Sequence, residues 1–193
     1  METELLVKNR ECGNCIACCV ELIIEDPELV KLPGVKCKNL KKDGGCSIYQ
    51  TRPKTCREWY CMWRFLPLLG EEWRPDKSGV LIKREYDNIP PGYQGKIALN
   101  FEIIGRKSVV EDLNFIELLC GYILKDIPCF ISYAKPRHEL RMVFLNDRLR
   151  PLIETGNLPL IQERLSSDLK SCIKNSRRKI FIRDGKVIAP QNG

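Results

Sequence analysis

Hydrophobic positions are organised differently in the two parts of the chain. From about residue 80 onward they recur with the periods of regular structure. Val80–Arg84 and Lys96–Ile103 read as strands, separated by a loop that holds Pro90, Pro91 and Gly92. Over Asp112–Lys125 the apolar residues Leu113, Ile116, Leu119 or Cys120, and Ile123 fall on one face of a helix. Pro128–Tyr133 and Leu140–Leu145 read as further strands. Leu158–Lys174 predicts a second helix with the stripe Leu158, Ile161, Leu165, Leu169 and Cys172. Ile180–Arg183 and Lys186–Ile188 flank Asp184-Gly185, a strong hairpin signal.

The first 80 residues show little such periodicity. Val20–Ile24 is a short apolar run that suits a strand or a helical turn, and Asp26-Pro27 suits the start of a helical turn. Lys41–Gly45 reads as a turn with glycine supplying positive φ. Arg52-Pro53 stops any element near Thr51. The expected class is therefore α+β. Residues 1–80 form an irregular cysteine-rich, metal-binding module, packed on a small α+β domain over residues 81–193.

Composition sharpens this division. Of 193 residues, 44% are apolar and 30% charged, enough for a packed core. Eleven are cysteines. Eight of these, Cys12, Cys15, Cys18, Cys19, Cys37, Cys46, Cys56 and Cys61, crowd into fifty residues that have few aliphatic side chains. Metal crosslinks are what would hold such a module together. The single histidine, His138, excludes a one-chain Cys2His2 finger, a Rieske site and an HExxH helix, each of which needs two.

Cys12-Gly-Asn-Cys15-Ile-Ala-Cys18-Cys19 is a CxxCxxCC run. A CxxC turn points two sulfurs at one ion and lets backbone N–H groups donate to them. Adjacent side chains such as Cys18 and Cys19 usually point apart, so one of them is expected to face a second site or to stay outside the ligand set. Eight thiolates suffice for two four-cysteine sites; with two divalent ions they lower the net charge from +7 by 4, to about +3. Lys36, Lys38, Arg52, Lys54 and Arg57 lie among the ligands as local counter-charges. All-sulfur ligation admits both an iron–sulfur cluster and Zn2+. One run that supplies three or four ligands is closer to a cluster loop than to paired zinc knuckles. A 4Fe-4S cluster is therefore favoured, with Zn2+ as the alternative. The bacterial ferredoxin spacing CxxCxxCxxxCP is not met.

Cys12–Cys19 and Cys37 are followed by Gly45-Cys46-Ser47-Ile48-Tyr49-Gln50-Thr51-Arg52-Pro53-Lys54-Thr55-Cys56-Arg57 and by Cys61-Met62-Trp63. This arrangement resembles the CxxCxxCC cysteine-cluster family, also called YkgJ-like or the zinc- or iron-chelating domain. Glu72-Trp73-Arg74-Pro75-Asp76 extends the resemblance, which spans roughly residues 10–80. It implies metal or iron–sulfur binding in a bacterial or archaeal cytosol. Within the stretch, Arg52-Pro53 is a stiff turn that returns Cys56 towards Cys46. Tyr49 and Trp59 either shield a site from water or simply form a small core.

The remaining features carry less chemistry. Cys120, Cys129 and Cys172 lie at core positions of two helices and a strand, and His138 falls in a loop. Gly92–Lys96 lacks the length and the Ser/Thr of a phosphate loop. Residues 81–193 carry 19 Lys/Arg against 13 Asp/Glu, with Lys170, Lys174, Arg177, Arg178, Lys179, Arg183 and Lys186 clustered. That pattern suits a solvated basic face, with an acidic partner or nucleic acid as the alternative. No membrane span is expected, since no apolar run approaches 18 residues. The short N-terminal apolar run predicts no secretory signal and hence a cytoplasmic protein. The functional expectation is an all-cysteine metal protein with a redox, structural or metal-handling role and a protein or redox partner. The alternatives are an iron–sulfur enzyme or its auxiliary subunit, and a zinc-stapled interaction module.

Overall fold

A computed structural model describes residues 6–134, 141–174 and 181–188. The described residues mix helix and strand, compatible with the expected α+β class. Six helices and eight strands are named here in chain order: α1 Ala17–Glu21, β1 Ile24–Asp26, β2 Leu29–Lys31, α2 Lys54–Glu58, α3 Pro75–Ser78, β3 Val80–Glu85, β4 Ala98–Ile103, α4 Leu113–Leu124, β5 Cys129–Tyr133, β6 Met142–Phe144, α5 Asn146–Glu154, α6 Leu158–Lys174, β7 Phe181–Arg183 and β8 Lys186–Ile188.

The strands expected after residue 80 build a four-stranded sheet in the order β3-β4-β5-β6. Its outer pairs are antiparallel and β4 runs parallel to β5, with α4 in the connection between them. Side chains alternate across the sheet. One face carries Leu99, Phe101 and Ile103 beside Cys129 and Ile131, and it packs on the helices. Phe101 meets Phe115 edge-on at 6.0 Å and Tyr122 at 6.2 Å. The opposite face carries Leu81, level with Glu102, and Leu81 reaches the cysteine region.

The buried face of α4 is Phe115, Ile116, Leu119, Tyr122 and Ile123; Leu113, expected on that face, is exposed at the first turn. The stripe of α6 is buried at Ile161, Leu165, Leu169 and Cys172, while Leu158 is left at the surface. α5 was not apparent from the pattern. It contains Pro151 and is anchored instead by the fully buried Leu149 and Asn146. The Asn146 amide accepts the Cys129 N–H at 2.8 Å and donates to Ile127 O at 2.8 Å. The helical turn expected at Asp26-Pro27 is instead the bend of the β1–β2 hairpin. There the Asp26 carboxylate accepts the Glu28 N–H at 3.1 Å, closing an Asx turn. Val20–Ile24 is split between the end of α1 and the start of β1.

The main core is continuous across residue 80: Ala17, Cys61, Met62, Trp63, Leu69 and Trp73 share it with the sheet and helices. A small satellite core consists of Ile24, Leu29 and Cys37, with Cys19 and Cys56 against it. Among the described residues no helix is long and apolar enough to cross a membrane. His138, Arg177, Arg178 and Lys179 lie outside the described residues.

Candidate metal centre

The cysteine region is assembled from turns. Cys15 N–H donates to Cys12 O at 2.9 Å, closing the first CxxC with Gly13 at φ +52°. α1 then carries Cys18 and Cys19. Cys37 N–H donates to Cys19 O at 2.9 Å, bringing the next loop back onto the run. Leu40 and Cys46 form an isolated antiparallel bridge, and Ser47 N–H donates to Asn39 O at 2.8 Å. Between them, Gly44 sits at φ +96°, where a Cβ would lie 2.9 Å from Asn14 O. That close approach presses the 41–45 turn onto the first CxxC and excludes side chains. Pro53 starts α2, which presents Cys56, and Asp26 caps this helix from outside: its carboxylate accepts the Thr55 N–H at 3.2 Å and hydroxyl at 3.0 Å. Arg10 holds the segment after Cys61 by donating to the carbonyls of Trp63, Leu66, Pro67 and Leu69.

These turns bring all eight cysteines of the sequence cluster to the wall of one cavity of about 140 Å³. That is about ten times the space one water needs. Tyr49, Trp59, Tyr60 and Leu81 complete much of its apolar lining. Cys120, Cys129 and Cys172 lie elsewhere. Cys129 and Cys172 donate to the carbonyls of Ile127 and Ile131, at 3.3 and 3.5 Å. In the cavity, Cys15 donates to the Asp76 carboxylate, and three sulfurs accept backbone amides. Asn39 N–H points at Cys37 Sγ at 3.5 Å, the Ala17 and Asp76 amides at Cys15, and the Trp63 and Arg64 amides at Cys61. Amide donors of this kind stabilise thiolate.

Burial opposes ionisation of the thiols in the absence of a cation. It pushes Cys15 up to about 11 and Cys61 up to about 12, and it raises Cys56 as well. Cys18 and Cys19 share a hydrogen bond. That bond raises Cys18, and it lowers Cys19 to about 7 with help from Lys31 and Arg52. Lys31 was not anticipated among the counter-charges. It lies in the apolar run Leu29–Leu32 and is buried beside Cys19 and Cys37. Its ammonium spends its donors on Val20 O, Leu22 O and Leu32 O, at 2.9, 2.6 and 3.2 Å. Of the basic residues anticipated there, Arg52 reaches the thiols, whereas Lys36, Lys38, Lys54 and Arg57 are exposed.

The donor set fits a thiolate-bound metal: it is all sulfur, partly prepared by amides, and gathered at one wall. Among the described residues no three Cys, His, Asp or Glu side chains already surround one point in ligand geometry. No family model, curated protein or solved structure matches the chain. The case for the site rests on its own residues.

Proposed function

We propose that this chain is a metal-binding protein of the CxxCxxCC cysteine-cluster kind, with an all-cysteine iron–sulfur or zinc centre held by residues of Cys12–Cys61. One observation carries the reading: eight thiols, separated by up to 49 positions in sequence, line the same cavity, while the three cysteines outside the cluster do not. Buried thiols that merely fill a core have no reason to gather in this way. The amide donors aimed at Cys15, Cys37 and Cys61 would support bound thiolate there.

The chain's contribution is to hold and shield. The positive φ of Gly13 and the close approach of Gly44 shape the loop that carries Cys12 and Cys15. Asp26 and Arg10 fix the segments that carry Cys56 and Cys61. Tyr49 and Trp59 restrict water at the cavity wall. A bound iron–sulfur centre supplies one-electron transfer, and a bound zinc supplies a crosslink that contributes to folding. The iron–sulfur form is preferred because a single run carries half of the thiols.

The test is purification without oxygen, followed by a visible absorption spectrum and elemental analysis. Iron and sulfide with a broad visible absorption are expected. Zinc with no colour selects the structural form of the same reading, and a chain with neither metal overturns it.

A further inference from the structure

Building on the metal-binding reading above, we infer that the eight thiols form two separate four-sulfur centres, one of Cys12, Cys15, Cys18 and Cys61 and the other of Cys19, Cys37, Cys46 and Cys56, with Lys31 as a fixed counter-charge weighted towards the second.

Two kinds of packing divide the cysteines in the same way. Cys15 and Cys61 pack with the main core beneath the sheet. Cys19, Cys37 and Cys56 pack together on the satellite core of Ile24 and Leu29. Electrostatic neighbourhood repeats the division. Cys61 is within reach of Cys12 and Cys15, whereas Cys56 is within reach of Cys37 and Cys19. Cys18 lies with Cys12 and Cys15, and it meets the second set through its hydrogen bond to Cys19 and its nearness to Lys31. Cys46 is the thiol left to complete the second set: it is bridged to Leu40 in the loop that begins at Cys37, although the turn before it also rests on the first CxxC. The doubled cysteine is where the two sets meet: Cys18 and Cys19, adjacent on α1, are hydrogen-bonded to each other, which corrects the expectation that they point apart.

The two sides differ in charge. The first faces Asp76, whose carboxylate is held by Arg74 through two hydrogen bonds at 2.7 and 2.9 Å, an ion pair that adds no net charge. The second faces Lys31, which has Glu21 near it, and Arg52. Arg52 is anchored by its bond to Tyr49 O and by stacking on the Tyr49 ring at 3.8 Å. Lys31 is anchored by three carbonyls and therefore acts as a point charge, with no hydrogen bond to spare for sulfur. An anionic four-thiolate centre is favoured beside it. The second centre should therefore load first and release last.

The experiment is a Co2+ titration of the reduced, metal-free full-length chain, read by the visible bands of tetrahedral Co2+–thiolate, with stepwise removal by a competing chelator. Two Co2+ per chain, released in two steps, are expected. One Co2+ per chain, or a single release step, overturns the partition while leaving metal binding intact. No Co2+ bound defeats the metal reading itself. Cys61→Ser and Cys56→Ser should each retain one Co2+, and each should remove a different release step; loss of all metal from either overturns the partition. Should a serine variant fail to fold, Lys31→Met decides. It should shift the later release step by about 10- to 100-fold in affinity and the earlier step by less. An equal shift of both steps, or none, overturns the assignment of Lys31.

Discussion

The sheet domain and the cysteine region solve the problem of order with different materials. In the sheet domain, Leu99, Phe101 and Ile103 stand level with Cys129, Ile131 and Tyr133 on the face that α4 and α6 cover. Apolar burial of that extent stabilises a domain by itself. In the cysteine region the satellite core has three buried residues. The backbone there is held by single contacts: Asp26 on Thr55, Lys31 on three carbonyls, Arg10 on four. Under the proposed function, metal crosslinks would supply the order that so small a core does not.

Metal removal should break the comparison most severely. A structural zinc contributes on the order of 10–16 kcal/mol to the fold that holds it, comparable to the whole stability of a domain. Chelation should abolish amide-exchange protection over residues 12–61 and leave β3, β4, β5 and α4 protected. Serine at Cys12, Cys15, Cys46 or Cys56 should act in the same direction. Protection and thermal stability that survive chelation unchanged would show that the small core suffices. The next largest effect belongs to the other region. Phe101 is fully buried between Phe115 and Tyr122. Phe101→Ala should cost about 3–5 kcal/mol in denaturant unfolding. Because Trp63 and Trp73 share that core, it should also lower protection around Cys61. An effect confined to the sheet would mean that the two regions are uncoupled.

The same contrast explains what could be read from the sequence. Strands β3, β4 and β5, both long helices and the hairpin at Asp184-Gly185 carry their own periodicity, so their existence was legible. The eight cysteines were legible as one group because they crowd into fifty residues, and they do line one cavity. The short β1–β2 hairpin was not, since Asp26-Pro27 is equally a helix start. Only the long-range bond to Thr55 shows why the carboxylate prefers the turn. α5 was hidden by Pro151, whose cost is offset by the buried Asn146 and Leu149, a tertiary effect that no local pattern carries. Lys31 was hidden for a similar reason. A lysine within an apolar run reads as an edge position until the loop that wraps it is known.

A smaller effect should come from Arg10, which ties the chain just before Cys12 to the main core. Its guanidinium donates to four carbonyls between Trp63 and Leu69 and lies over the Trp63 ring at 5.2 Å. Arg10→Met should cost about 1.5–3 kcal/mol, the value of charged hydrogen bonds lost with their acceptors left in place. Arg10→Lys should recover part of this, because one ammonium cannot span four carbonyls. Equal unfolding free energies for Arg10→Met and the parent chain would refute the tether.

The smallest effect, and the most specific, is the acid response of Asp26. The Glu28 and Thr55 amides beside it, with the Thr55 hydroxyl and Arg57, hold its carboxyl below the usual carboxylate value. The folded state therefore favours the ionised form. Its stabilisation is complete above the ordinary carboxylate pKa and is lost as pH falls through that value towards the depressed one. Asp26→Asn should melt below the parent at neutral pH, and the gap should close below about pH 4. Acid also strips metal from thiolates, but it does so in both proteins, so the difference between the two melting curves isolates the carboxylate. A gap that is constant with pH would mean that Asp26 acts through shape alone, and that charge does not join the hairpin to the helix that carries Cys56.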